Sequence, residues 1–415
     1  MLICSQLPFR LLLTQVKDII MERSHRRLIG RRTVIRSLLA AGAFGASSRL
    51  WTGCTPAAKT SSNPSPSAST TPIEIGFIYV GPKDDYGYNQ SHAEGKAAVD
   101  QLSEVKTVEE ASVPETTAVA ETMTNMIKED RATVLFPTSY GYFNPHSLKI
   151  AREFPEVQLF HPNQPYKDEY PKNVGSYFSD LAEPAYLAGI VAALTSKTGK
   201  LGFIIPKPIP VVLREVNSFT LGARSVKPNV VVQAIFTGDW SLPVKEAEAT
   251  NSLIDQGADV LTGRVDNMKV IITTAEKRGA FSSGYHINQA SLAPKGYLTG
   301  VEWNWGKIYS SYVELLKAGK TLMNGGIPHI IAGGLKEDFC KLSPYGSAVS
   351  PETQSVAEAA KAKLLDGSLA IFKGKLKDNK GNIVIPAGKT YSLQAPQLQA
   401  MDWFVEGVLG DAGTK

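Results

Sequence analysis

The ten residues from Gly81 to Gln90 hold two aspartates, two tyrosines, an asparagine and a glutamine, an unusual density of groups that can recognise a ligand. Aromatic faces stack on planar rings, carboxylates accept from N–H donors, and amides both donate and accept. The run before them, Ile73–Val80, is apolar and ends at Gly-Pro, so it reads as a buried parallel strand. Ser91-His-Ala-Glu94 behind them reads as a capping box that opens a helix through Ala97, Val99 and Leu102. The loop therefore lies at the carboxyl end of a strand, where open α/β sheets bind ligands. An ordinary polar turn that binds nothing is the equal alternative at this point.

Catalytic sets are missing from the rest of the chain. The histidines, His25, His92, His146, His161, His286 and His329, show no metal-ligand spacing, and no Gly-x-Ser-x-Gly or Walker sequence occurs. Cys4, Cys54 and Cys340 form no CxxC pair, which excludes a disulfide framework and argues against zinc; Cys340 reads as a small core residue. No cofactor or metal is expected.

What must position the loop is a large body. With 415 residues and 43% hydrophobic content, the chain can bury a core for about two domains. Its net charge of +5 is uneven: residues 1–54 carry nine basic against two acidic side chains, a surplus of seven, so the remainder is about −2. A nucleic-acid role for the folded body therefore loses its main support.

The amino-terminal segment, 1–54, reads as an export signal. Gly30–Arg36 carries paired arginines in a twin-arginine-like arrangement, and Ser37–Ala46 is mildly apolar but too short to span a membrane. Cys54, after Leu50-Trp-Thr-Gly53, is similar to a lipoprotein processing site, although Trp51 stands where leucine is usual; lipidation of Cys54 is the expectation, with simple cleavage nearby as the alternative. Residues 55–71, rich in Ser, Thr and Pro, read as a flexible tether. Translation is expected to start at Met21.

From Ile73 onward strands and helices alternate, which argues a parallel sheet covered on both faces. A fresh first strand at Lys200–Ile205 begins a second βαβ series, so the chain divides into a lobe at 72–180, with part of 285–320, and a lobe at 181–284, completed by part of 320–415. A hairpin is expected around Asp378–Asn382 and a final helix around Met401–Leu409. The binding site belongs in the cleft between the lobes.

These segments also carry a resemblance. Gly76–Tyr79, Asp85–Asn89, Glu183–Gly189, Asp255–Val260, Val301–Gly306 and Met401–Gly407, in that order, resemble the basic membrane protein family of ABC-transporter substrate-binding lipoproteins, with Leu342–Gly346 and Ile385–Gly388 also fitting. The resemblance implies a type I periplasmic-binding fold, two Rossmann-like lobes with a hinge, closing on a purine base or nucleoside. It also implies a small-molecule ligand and a membrane permease as partner, while the signal, possible anchor and tether place the folded body outside the cytoplasm, where a monomer is expected.

Carried onto this chain, the resemblance marks Asp85, Tyr88 and Asn89 in the first lobe, with Tyr140 at the rim. In the second lobe it marks Trp240 as the opposite stacking face and Asp266 as an acceptor. Each has a plain alternative: Tyr88 as packing, Trp240 as a lobe cap, Asp266 as the N-cap of a helix from Met268. Where the family commonly has an aspartate-rich segment for ribose hydroxyls, this chain reads Tyr285-His-Ile-Asn288. Two lost carboxylates favour a free base over a nucleoside. Tyr285 and Asn288 remain candidate contacts, His286 reads equally as a satisfied surface histidine, and Trp303 and Trp305 read as hinge packing. Competing readings are a ligand-reporting sensor or binder of another solute, and an extracytoplasmic nucleoside hydrolase.

Overall fold

A computed structural model describes residues 72–163 and 165–413. The export signal, Met21, Cys54 and the tether lie outside the described residues. Among the described residues no helix is long and apolar enough to cross a membrane.

The first half runs β1 Ile73–Ile78, α1 Tyr88–Val99, β2 Val105–Glu110, α2 Thr117–Lys128, β3 Val134–Pro137, α3 Leu148–Glu153, β4 Gln158–Pro162 and β5 Val174–Ser179. The second runs α4 Ala182–Thr195, β6 Lys200–Ile205, α5 Pro210–Val226, β7 Val231–Phe236, α6 Pro243–Asp255, β8 Val260–Gly263, α7 Lys269–Lys277, β9 Phe281–His286 and β10 Tyr297–Trp303. Then come α8 Trp305–Lys317, β11 Ile330–Gly333, β12 Cys340–Leu342, α9 Pro351–Leu365, the hairpin β13 Leu376–Lys377 and β14 Ile383–Ile385, α10 Pro396–Gln399 and β15 Val408–Leu409.

Two sheets result. The first, ordered β11-β5-β4-β3-β1-β2, is parallel throughout. The second, β12-β10-β9-β8-β6-β7-β15, is parallel except that β12 runs against β10. The chain passes between the lobes at Asp180–Leu181, at Asn304, and between Gly333 and Cys340. All three passages lie together at the hinge: Asp180 donates its amide to Gly333, and Asn304 to the Phe339 carbonyl.

Apolar patterning explains both cores. In the first lobe Phe77, Phe136 and Phe160 on adjacent strands stack in sequence, with centroids 5.0 and 5.4 Å apart, and α8 returns to cover them with Tyr309 and Tyr312. In the second, α4 is apolar nearly all round and is buried accordingly. It packs so closely on α5 that a methyl on Gly189 would stand 2.0 Å from the Phe219 carbonyl oxygen, and one on Gly222 would stand 1.9 Å from that of Tyr186. Only glycine fits at this crossing.

Several expectations need correction. The helix after the first loop begins at Tyr88, three residues before the supposed capping box, because Asp85 rather than Ser91 takes its first amides. Ser91 instead donates to the Tyr88 carbonyl, and Glu94 accepts from Gln90. No helix forms at 401–409: Met401, Phe404, Val405 and Val408 are buried at helix-like spacing, yet the segment is extended and ends in β15, paired with β7. Asn217 of α5 fixes it by accepting from the Val405 amide and donating to the Trp403 carbonyl. Cys340 is buried, its thiol donating to the Asp180 carbonyl.

Candidate functional site

The loop from β1 to α1 is built around Asp85. Its Oδ1 accepts from the amides of Gly87 at 2.8 Å and Gln90 at 3.0 Å, and its Oδ2 accepts from the amide of Asn89 at 3.1 Å and from its Nδ2 at 2.8 Å. Asn89 closes the loop by accepting from the Gly81 amide through Oδ1. Both side chains thus hold the loop's shape, satisfying helix amides that would otherwise be orphaned.

Their effect is to aim Tyr88. Its hydroxyl donates to the Thr138 carbonyl at 2.7 Å, and its ring meets His92 and His286 edge-on, at 4.6 and 5.7 Å. His286 belongs to the second lobe, so Tyr88 already touches the opposite wall. Burial raises the pKa of the Tyr88 hydroxyl, with the Asp266 carboxylate adding to the rise and Arg264 opposing it.

The lobes also join through backbone. The Tyr88 amide donates to the Asp266 carbonyl at 3.0 Å, Gly87 pairs with Asn267 in an antiparallel bridge, and Gln289 Nε2 donates to the Tyr86 carbonyl at 2.9 Å. A methyl on Gly87 would lie 1.8 Å from the Asp266 carbonyl oxygen. The close approach requires glycine, and its φ of −157° shows that conformational freedom is not the reason.

On the second lobe the ends of β7, β8 and β9 converge. The Trp240 carbonyl accepts from the Asp266 amide at 2.8 Å. The Arg264 guanidinium lies over the rings of Trp240 and Tyr285, at 5.6 and 5.7 Å, and donates through Nε to Glu215 at 2.8 Å. Glu215 also accepts from the Tyr285 hydroxyl at 2.8 Å. Lys207 approaches the Trp240 ring as well, at 5.9 Å.

Asp266 is half-buried, and among the described residues its carboxylate takes no hydrogen bond. Burial, with the charge of Asp85 adding to it and Arg264 opposing, pushes its pKa up to about 7. It does not cap α7, whose N-cap is Met268; Asn267, one residue before, accepts from the Lys269 amide.

The remaining candidates lie elsewhere. Tyr140 is 68% exposed. Asn288 is exposed and accepts from the Ala290 amide. His286 is no surface histidine: Nε2 bonds to the Val265 carbonyl at 3.0 Å, Nδ1 accepts from the Trp303 indole at 2.9 Å, and burial pushes its pKa down to about 3. Trp303 and Trp305 stack at 4.6 Å beside the hinge passage at Asn304, and His92 stacks on Trp305. Sequence reasoning missed Arg264, Glu215 and Gln289; the available signal was an arginine directly after the buried strand end at Gly263. Among the described residues no His, Cys, Asp and Glu cluster is fit to hold a metal ion.

A family model described as PnrA-like ABC transporter substrate-binding protein, Bmp, matches residues 73–373. A purine-binding protein of Brucella abortus is 33% identical over 81% of this chain and 93% of its own length. An ABC transporter protein of Haloferax volcanii, named for glucose binding, is 27% identical over 82% of this chain and 81% of its own. Among solved structures, an ABC transporter solute-binding protein from Conexibacter woesei superposes with a TM-score of 0.58 at 20% identity, covering 72% of this chain and 97% of that one. A transcriptional activator of the comK gene from Bacillus halodurans reaches 0.62 at 21%, covering 71% and 99%. At these identities the structures speak to the fold, a type I periplasmic-binding architecture. The extent of the family match and the Brucella relative settle the rest: the chain belongs to the Bmp family of PnrA-like ABC transporter substrate-binding proteins.

Proposed function

We propose that this chain captures a purine base, or a purine-like heterocycle, between its lobes and presents it to a membrane permease outside the cytoplasm. The family is extracytoplasmic, and its members bind solutes rather than turn them over. One observation carries the ligand reading: Tyr88 from one lobe meets His286 and the Asp266 backbone of the other, beside the Arg264 guanidinium that lies over the rings of Trp240 and Tyr285, which supplies aromatic faces with polar partners near them. A planar heterocycle uses both features. The name of the Brucella relative agrees.

A base suits the site better than a nucleoside. His286 and Asn288 replace two expected carboxylates, and both are bonded within the protein, so neither offers a strong acceptor to a ribose diol. Closure is a hinge motion about the three passages, and the monomer is the functional unit. An anchor on Cys54, following export by the twin-arginine-like signal, would hold the protein at the membrane.

Native mass spectrometry of protein purified without denaturation identifies a retained ligand. Calorimetry with adenine, guanine, xanthine, their nucleosides and glucose then ranks candidates. A purine base binds best on this reading, and Tyr88→Ala and Trp240→Ala each weaken it by about 1–3 kcal/mol, the range for a base stacked on an aromatic. Glucose binding without purine binding rejects the reading and favours the sugar named for the Haloferax relative.

A further inference from the structure

We propose that the lobes of this chain latch shut without a guest: Tyr86, Lys269 and Gln289 hold the edge between the β1–α1 loop and the second lobe closed in the ligand-free protein. The inference goes beyond the ligand reading and holds whichever solute is bound. Three locally unfavourable features fall at this edge, and each is answered from across the lobe boundary. Tyr86 has a φ of 54°, a left-handed conformation that a bulky side chain rarely adopts. Its amide donates to Gln90 Oε1 at 3.0 Å within its own lobe, and its carbonyl accepts from Gln289 Nε2 of the other lobe at 2.9 Å. Lys269 is the first residue of α7, where the helix dipole disfavours a cation, and its ammonium stands 5.2 Å from the centroid of the Tyr86 ring. Tyr88 opens α1, so its amide is among those that a helix leaves without an internal partner, and the Asp266 carbonyl takes it at 3.0 Å.

Every partner in this set is a protein group, so the set is complete in itself. Gln289 is prepared for its part within the second lobe: Oε1 accepts from the Tyr285 amide at 3.1 Å and Nε2 also donates to the Tyr285 carbonyl, which fixes the amide group that reaches Tyr86. His286, whose ring meets Tyr88 from the second lobe, is likewise held at a positive φ, 79°. Strained residues thus stand on both sides of one contact, the placement expected of a switch region. A guest adds to a closure that already stands, and its entry requires the latch to open first.

The test is site-resolved hydrogen exchange on the full chain, stripped of any retained solute by denaturation and refolding and shown to be ligand-free by native mass spectrometry. The Tyr88 amide reads closure directly, because its partner lies in the other lobe. It should exchange at least about tenfold more slowly than an unstructured amide, the protection given by a closed-to-open ratio of about ten. Lys269 is exposed, so Lys269→Ala spares the fold; it should speed Tyr88 exchange about 2- to 5-fold, the worth of one exposed cation–π contact. The Ile272 amide, bonded to the Met268 carbonyl inside the second lobe, should keep its rate in that variant. Tyr86→Gly removes the ring while tolerating the positive φ, and in its background Lys269→Ala should have no further effect. Tyr88 protection below about tenfold in the ligand-free protein, or a Tyr88 rate unmoved by Lys269→Ala, overturns the latch. Either result leaves the proposed ligand untouched, since no solute enters the measurement.

Discussion

Asp85 and Asp266 stand on opposite lobes, each on a loop after a parallel strand, but they are used differently. Asp85 takes four donors, all from its own loop, and has no lone pair to spare for a visitor. Asp266 takes none among the described residues, and burial holds its carboxyl reluctant to ionise. The first lobe thus contributes a self-satisfied loop that carries Tyr88 and a backbone edge, whereas the second carries a carboxylate with no partner among the described residues; on the function proposed above, one lobe closes and the other reads.

The contrast is best broken at the closing edge. Gly87→Ala places its methyl against the Asp266 backbone and should hold the lobes apart, with about a 100-fold loss of ligand affinity and a larger radius of gyration by small-angle scattering. Unchanged affinity and dimensions would mean that the Gly87–Asn267 approach is incidental.

The two aspartates should then separate. Asp85→Ala loses a cap and costs about 1–2 kcal/mol of stability, read from the denaturant midpoint. Asp266→Asn should weaken ligand binding about tenfold and stabilise the free chain. The sign follows from protonation: the folded carboxyl keeps its proton up to about 7 and the unfolded one up to about 4. The native state therefore binds the extra proton between those values, and stability declines as pH rises through that window, then levels off. Asp266→Asn should abolish this decline, visible as a flatter plot of Tm against pH. If Asp85→Ala leaves stability intact, the distinction between the two loops fails.

The smallest effect is expected at Tyr140. Exposed as it is, Tyr140→Ala should change affinity by less than about 0.5 kcal/mol by calorimetry. A larger loss would extend the reading surface into the first lobe.

Much of the fold was legible because strand and helix periods differ: the strands expected at Ile73–Val80 and Lys200–Ile205 and the hairpin around Asp378–Asn382 all form, as β1, β6 and the β13–β14 pair. What failed has identifiable causes. Val105–Glu110 is an edge strand with three charged residues and none fully buried, so it lacks the apolar run that marks a buried one. Met401, Phe404, Val405 and Val408 mimic a helical stripe, although contacts made elsewhere, to α5 and β7, keep them extended. In the site, the loop at 85–89 was visible from its residue types, but the inward commitment of Asp85 and Asn89 was not, because amide partners leave no mark on composition. Arg264 escaped notice since its partner, Glu215, lies 49 positions away.

The strands at the sheet margins have a consequence for how copies of this chain meet one another. An open β-edge invites a second strand and, by repetition, polymerisation. The first sheet defends its β2 margin with charge, through Lys106, Glu109 and Glu110. The second has no such residues on β7, Val231–Phe236, and instead folds its own tail over part of that margin: Val408 and Leu409 pair with Val232 and Gln233, and Gly407 accepts from the Val232 amide. The last strand thus covers part of a margin that would otherwise stand open to pairing, a duty separate from anything the cleft does.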